Sequence, residues 1–209
     1  MAGVGLVELR GVFRRLDTPG KIQAYISSLD YNLSDKSGSP LWVLNNRKAD
    51  CFDGALFAAA CLQYHGMWPL LMDLRAVNDD DHTLAVYRIG GLWGAISKSN
   101  FSVLEFREPV YRSLRELAMS YFDLYFNTAG EKTLREYSRP LDLSVFDNIG
   151  WVTSDDDLDF IGESLDKVRH YSLITGKTAR RLNKAGKRLV KAGLLGSNKR
   201  GLYSPKYSK

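Results

Sequence analysis

Cys51 opens the run Cys51-Phe52-Asp53-Gly54-Ala55-Leu56-Phe57-Ala58-Ala59-Ala60, and His82 follows downstream. A cysteine in the first turn of a helix lies near the positive end of the macrodipole, beside backbone N–H groups that lack intrahelical acceptors. That position favours a thiolate and can cradle an oxyanion. A histidine at hydrogen-bonding distance is the partner such a sulfur needs. The two residues therefore point to covalent chemistry at sulfur, with imidazole taking the thiol proton.

The elements that must position them can be read from periodicity. Ala55, Ala58, Ala59 and Leu62 fall on one helical face, with Gly66 as the expected stop and Pro69 beyond it. Small side chains on that face would let the helix pack close to a sheet. Leu70, Met72, Leu74 and Ala76 then alternate with Leu71, Asp73 and Arg75, which is strand periodicity, and residues 78–81 form a polar turn. Thr83–Ile89 and Leu92–Ile96 flank Gly90-Gly91, a dipeptide suited to a type I′ hairpin turn because both positions need positive φ. In that register Ile89 pairs with Leu92. His82 then faces Ser99 across the ladder and Ser97 diagonally, at Cβ separations of about 5 Å and about 7–8 Å.

On these residues the stretch from Leu41 to Glu105 resembles the transglutaminase-like family of papain-type cysteine enzymes. In that family a nucleophilic cysteine starts a helix, a histidine sits on a later strand, and an aspartate follows on the next strand, soon after a tryptophan. Cys51, His82 and Trp93 match in order and spacing, while Ser97 stands where the family carries its aspartate. Ser99, Asn100 and the carboxylates of Asp80 and Asp81 are other candidates to orient the imidazole. The resemblance implies a papain-like core of α+β class, with the Cys51 helix packed on an antiparallel sheet.

It also implies acyl transfer at an amide of a protein or peptide substrate. Cys51 would attack the carbonyl to form a thioester, His82 would relay the proton to the leaving amine, and Ser97 would hold the imidazole. The Cys51 backbone N–H would be one oxyanion donor, with Asn45, Asn46 or Trp42 as second-donor candidates. Water as acceptor would make a peptidase or deamidase, and an amine would make a cross-linker. The competing reading is a catalytically inactive module of the same fold that binds partners through its cleft or basic tail. A serine in the aspartate position favours it, because a hydroxyl supplies no charge.

The remaining cysteine and histidines have structural readings. Cys61 lies within the same helix, about 15 Å along it from Cys51, too far for a disulfide. It is expected in the core. His65 beside Gly66 is expected as a helix cap, and His170 as a surface residue of an amphipathic helix. Cys51, Cys61, His65 and His82 match no compact zinc pattern, so neither metal nor cofactor is expected. Thr175-Gly176-Lys177-Thr178 resembles the end of a phosphate-binding loop, but Tyr171 stands where its first glycine belongs.

The 209 residues, 44% of them hydrophobic, suit one sizeable core with an appended element. The expected organisation is a core over 1–150 and a helical region with a basic tail over 151–209. Leu114, Leu117, Ala118, Tyr121 and Tyr125 predict an aromatic helix ending near Gly130. Arg139-Pro140 breaks the pattern, and an irregular linker or strand runs on to Trp151. Thr153 or Ser154, followed by Asp155–Asp157, predicts the start of a helix bearing Leu158, Ile161, Leu165 and Val168.

Eleven of the 29 Lys and Arg lie in Thr175–Lys209 with no Asp or Glu among them, leaving all 24 acidic residues to the rest of the chain. Leu182, Ala185 and Leu189 predict a basic amphipathic helix, and Gly193, Gly196 and Gly201 a looser end. This tail is a candidate for polyanion contact, or for packing on the protein's own acidic body. Two cysteines, no signal-like start and no uninterrupted apolar span lead to the expectation of a cytoplasmic protein without a transmembrane segment.

Overall fold

The computed structural model describes residues 2–34 and 36–203, so Lys206 and Lys209 of the basic tail lie outside the described residues. Helices α1 (Ala2–Arg15) and α2 (Pro19–Ser27) lead to strand β1 (Asp30–Tyr31). After the short helix α3 (Pro40–Asn46), β2 (Lys48–Ala49) pairs with β1 in parallel. Helix α4 (Cys51–Tyr64) follows, then β3 (Leu70–Ala76), β4 (His82–Ile89), β5 (Leu92–Ile96) and β6 (Arg107–Tyr111). The rest of the chain adds α5 (Leu114–Met119), β7 (Leu134–Ser138), β8 (Leu141–Asp142), α6 (Asp159–Lys167), β9 (His170–Ser172), α7 (Gly176–Ala179) and α8 (Lys187–Gly193). The class is α+β.

Seven strands form an antiparallel sheet in the order β6-β5-β4-β3-β7-β9, and β8 shares the β3 edge with β7. Gly90 and Gly91 have φ of 59° and 83°, and Ile89 pairs with Leu92, as the two-residue turn requires. Alternate residues of the central strands feed two cores. Leu71, Ala85, Tyr87 and Ile96 face α4 and the N-terminal helices, while Met72, Leu74, Leu84, Val86 and Ala95 face the aromatic segment around Tyr121 and Tyr125.

Helix α4 is enclosed on all sides from Asp53 to Leu62, beyond the single face that periodicity predicts. Its alanines leave room for α1, α2 and α3 to close over the side turned away from the sheet. Where the helix meets the chain leaving β5, a Cβ on Gly54 would lie 2.6 Å from the Lys98 Cβ. Lys98 cannot readily retreat, because its Nζ donates to the carbonyls of Leu29 at 2.6 Å and Ser27 at 3.3 Å.

Several sequence expectations are corrected downstream. The aromatic helix stops at Met119, because the Ser120 hydroxyl turns back onto the Leu117 carbonyl at 2.6 Å and Arg107 stacks over the Tyr121 ring at 3.9 Å. Tyr121 and Tyr125 still reach the core, through turns. Helix α6 begins at Asp159, later than the acidic run implies. Asp157 instead accepts the backbone N–H groups of Ser37 and Asp159, tying down a loop. His170 lies on β9 with its side chain only 6% exposed, and its Nε2 is 3.1 Å from Asp73 Oδ2. The segment after 150, expected to be helical, thus also supplies the β9 edge of the sheet, and its Trp151 is fully buried in the α4 core. The basic stretch around Leu182 and Ala185 is not helical; α8 starts at Lys187. Among the described residues, no helix is long and apolar enough to cross a membrane.

Gly54→Ala should gain about 1 kcal/mol of helix propensity yet lose more to the overlap with Lys98, for a net destabilisation of about 1–3 kcal/mol. Urea unfolding measures it. A variant as stable as the parent would mean that Lys98 yields.

Candidate active site

Asp50 is the N-cap of α4, and its side chain accepts the Asp53 N–H at 2.8 Å while Asp53 Oδ2 accepts the Asp50 N–H at 3.2 Å. This is a reciprocal capping box built from two aspartates. Asp53 also takes the Asn32 amide at 2.8 Å and the Gly38 N–H at 2.7 Å, so the helix start is tied to the loop after β1. Cys51 is therefore held as the first helical residue, with a backbone N–H of the kind a helix leaves without an internal acceptor. The β1–β2 ladder sets Tyr31 beside Ala49, just ahead of Cys51 in the chain.

His82 starts β4, paired with Leu74 of β3, and is 4% exposed. Its Nε2 lies 3.1 Å from the Leu104 carbonyl and 3.2 Å from the Ser97 hydroxyl, which itself donates to Leu104 at 3.0 Å. A carbonyl can only accept, so Nε2 carries the proton and Nδ1 keeps the basic lone pair. Ser97 is clamped in turn by the Gln23 amide, which accepts its N–H at 3.1 Å and donates to its carbonyl at 2.9 Å. Cys51 and His82 line one cavity of about 230 Å³, together with Tyr31, Tyr125, Asp50 and Asp79–Asp81. Among the described residues, no hydrogen bond joins sulfur to imidazole.

Of the other orienting candidates, Ser99 is not paired with His82, because the β4–β5 ladder ends at Ala85 and Ile96. Its hydroxyl accepts the Phe101 N–H instead, at 3.0 Å. Asp81 accepts the Ala76 N–H at 2.7 Å, the Asp80 carbonyl accepts the Tyr125 hydroxyl at 2.7 Å, and Asn100 is bound to Asn198. The proposed second oxyanion donors fall on α3, outside the cavity lining. The Trp42 N–H is taken by Ser39 Oγ, the Asn46 amide by the Trp42 carbonyl, and Asn45 is exposed. The site also contains groups the sequence reading missed, namely the Leu104 carbonyl, Gln23 and Tyr31. A backbone carbonyl leaves no mark on a residue pattern, and Gln23 meets Ser97 only through folding.

Burial sets the electrostatics. It pushes His82 down to about 4, with help from the Arg107 charge and against the pull of the Leu104 carbonyl. It pushes the Cys51 thiol well up, reinforced by Asp50 and opposed by the Thr83 N–H. Cys51 is half-buried as a residue, yet the surroundings of its sulfur are dense enough for desolvation to prevail over the helix dipole. Burial thus opposes the thiolate that the helix-start position favours, and it also holds the His82 imidazole neutral. Asp50 is raised to about 7 and Asp79 to about 6, both chiefly by burial, and Asp80 and Asp81 are raised in the same direction. The Tyr31 hydroxyl is held protonated by burial and by the negative groups around it, so it remains a donor.

At the far end of α4, Cys61 is buried with its thiol 3.6 Å from the Leu16 carbonyl, and its pKa is pushed up to about 12. His65 caps the helix and bonds the Phe13 carbonyl at 2.8 Å. Among the described residues, no three His, Cys, Asp or Glu side chains are arranged to hold a metal ion. No family model matches the sequence, and no curated protein matches it.

The His82 ring should titrate in proton NMR with a midpoint near pH 4. A midpoint near the ordinary 6.5 would mean that water reaches the imidazole.

Proposed function

We propose that the Cys51 cavity performs acyl transfer at an amide bond of a protein or peptide through a thioester, in a core of the transglutaminase-like, papain-type kind. The observation that carries this reading is one cavity lined by a helix-start cysteine and by a histidine whose Nε2 is fixed by Leu104 and Ser97, leaving Nδ1 as the base. The order of a cysteine helix followed by antiparallel strands, the second bearing the histidine, supports it as well.

In this mechanism the thiol proton passes to Nδ1 as sulfur attacks the carbonyl, since the resting pair is neutral. The imidazolium then returns the proton to the leaving amine. The Cys51 N–H and the Tyr31 hydroxyl are the donors for the developing oxyanion. Ser97 and the Leu104 carbonyl hold the ring without charge, so the imidazolium gains little stabilisation from its holders. That same feature favours the second reading, a binding module that keeps the fold without turnover.

Turnover of fluorogenic peptide amides, with and without an added amine, separates the two. Cys51→Ala should lower it by about 10³-fold or more. Ser97→Asp should raise it and move the His82 midpoint up by about 1–3 pH units through opposite-charge attraction. A folded Ser97→Asp chain with the shifted midpoint but no turnover would leave the binding module.

We further propose the tail as a polyanion contact. Lys177, Arg180, Arg181, Lys187, Arg188, Lys191, Lys199 and Arg200 are all exposed, as is Lys184, which pairs with Glu131. Heparin or RNA binding should appear at low salt and fall steeply toward moderate salt, as counterion release demands. Absence of binding at low salt would exclude the contact.

A further inference from the structure

The chain after α8 runs back across the Cys51 cavity. Gly193 lets α8 seat against the cavity wall, since a Cβ there would lie 3.1 Å from the Phe126 ring and 3.2 Å from Phe101. Gly196, Ser197 and Asn198 then line a second cavity of about 670 Å³, and Gly201 and Tyr203 line the Cys51 cavity itself. Tyr31, Ser99 and Asn100 belong to both cavities, so the two adjoin and residues 196–203 run along both.

The hold on this strap is of the kind that reads a backbone. The Asn100 side-chain amide donates to the Asn198 carbonyl at 2.8 Å and accepts the Asn198 N–H at 2.7 Å, engaging both main-chain groups of one residue whatever its side chain. Two residues beyond the start of the following turn, Gly201 passes so close to the wall that a Cβ would lie 2.8 Å from the Tyr31 ring and 3.0 Å from Leu33. Lys199 and Arg200 point to solvent, and Leu202 and Tyr203 are half-buried. Among the described residues the strap joins no sheet, and the Asn100 clasp is what ties Asn198 to the wall.

We propose that residues 196–203 are an internal occupant of the substrate groove, and that the ligand taken in their place is a polypeptide segment that makes the same turn, with glycine opposite Tyr31. Asn100 recognises the backbone of either chain, and Tyr31 selects for the missing side chain. The assignment of the groove to substrate rests on the acyl-transfer reading. Occupancy by the strap rests on the contacts alone.

The test uses the full chain and reads iodoacetamide labelling of each cysteine by peptide mapping. Asn100→Ala removes both clasping bonds, and Gly201→Val drives a side chain into Tyr31. Each should speed labelling of Cys51 by about tenfold, with Cys61 unchanged as the internal measure of unfolding. A synthetic peptide of residues 196–203 should then slow Cys51 labelling in the Gly201→Val chain, and the same peptide carrying Gly201→Val should not. A Cys51 rate unchanged in both variants, rising only in step with Cys61, or indifferent to the peptide would overturn the proposal. Alkylation reports access and not turnover. Faster labelling with no amide cleavage in any variant would therefore keep the strap and remove the acyl-transfer reading.

Discussion

A helix enclosed on every side has no water with which to satisfy the amide groups of its first turn, so the protein itself must supply the acceptors. Helix α4 meets this demand with Asp50 and Asp53, and the solution reaches beyond the helix. Asp53 is fully buried and also gathers Asn32 and Gly38, so the closing of one helix end fixes the loop after β1 and, through it, Tyr31. Burial raises both carboxylates, and the Asp53 charge raises Asp50 further. The interaction that fixes the position of Cys51 therefore also surrounds its sulfur with negative charge. A helix start favours a thiolate only while the dipole outweighs its surroundings, and here it does not.

The histidine side repeats this logic with the opposite sign. His82 enters the cavity from the buried end of β4, and what fixes its ring is a carbonyl and a hydroxyl, neither of which repays a proton with charge. Gln23 makes that arrangement rigid. By bonding both the N–H and the carbonyl of Ser97 it acts as one further rung of strand pairing where the β4–β5 ladder has ended. Positioning is thus strong while electrostatic activation is weak. For the proposed chemistry, a cysteine so placed needs proton transfer during attack rather than an ion pair formed beforehand.

What could be read from residues alone follows from where the forces are local. The Gly90-Gly91 turn, the extent of β3 and the helix from Cys51 to its stop at Gly66 depend on backbone freedom and short-range periodicity, and they stand as read. The same local rules place Ser97 near His82 but also predict a Ser99 partner, because a register extrapolated past Ile96 cannot know that the strand ends there. The aromatic stretch after Leu114 keeps helical spacing without being helical beyond Met119, since the Arg107 guanidinium on Tyr121 is a long-range contact. His170 departs from the surface-helix expectation because its partner Asp73 is distant in sequence. The Leu104 carbonyl, Gln23 and the strap over the cavity share this property: each is set by a fold that brings together segments whose own sequences do not announce the meeting.

His82 and Asp50, two of the displaced groups at the site, pull stability in opposite directions with pH. His82 titrates near 4 in the fold against 6.5 in the free chain, so the native state binds fewer protons between those values and its stability rises with pH across that window. Burial and the Asp53 charge raise Asp50 above its ordinary value, so the native state binds more protons over the shifted range and its stability falls as pH rises through it. Where the two windows overlap the slopes oppose each other. With its pKa raised, the capping carboxylate takes up a proton at a higher pH than a free aspartate, while burial keeps the imidazole neutral down to about 4. Protonation of Asp50 removes a charge that opposes ionisation of the Cys51 thiol, and over the same range the His82 ring keeps its free lone pair.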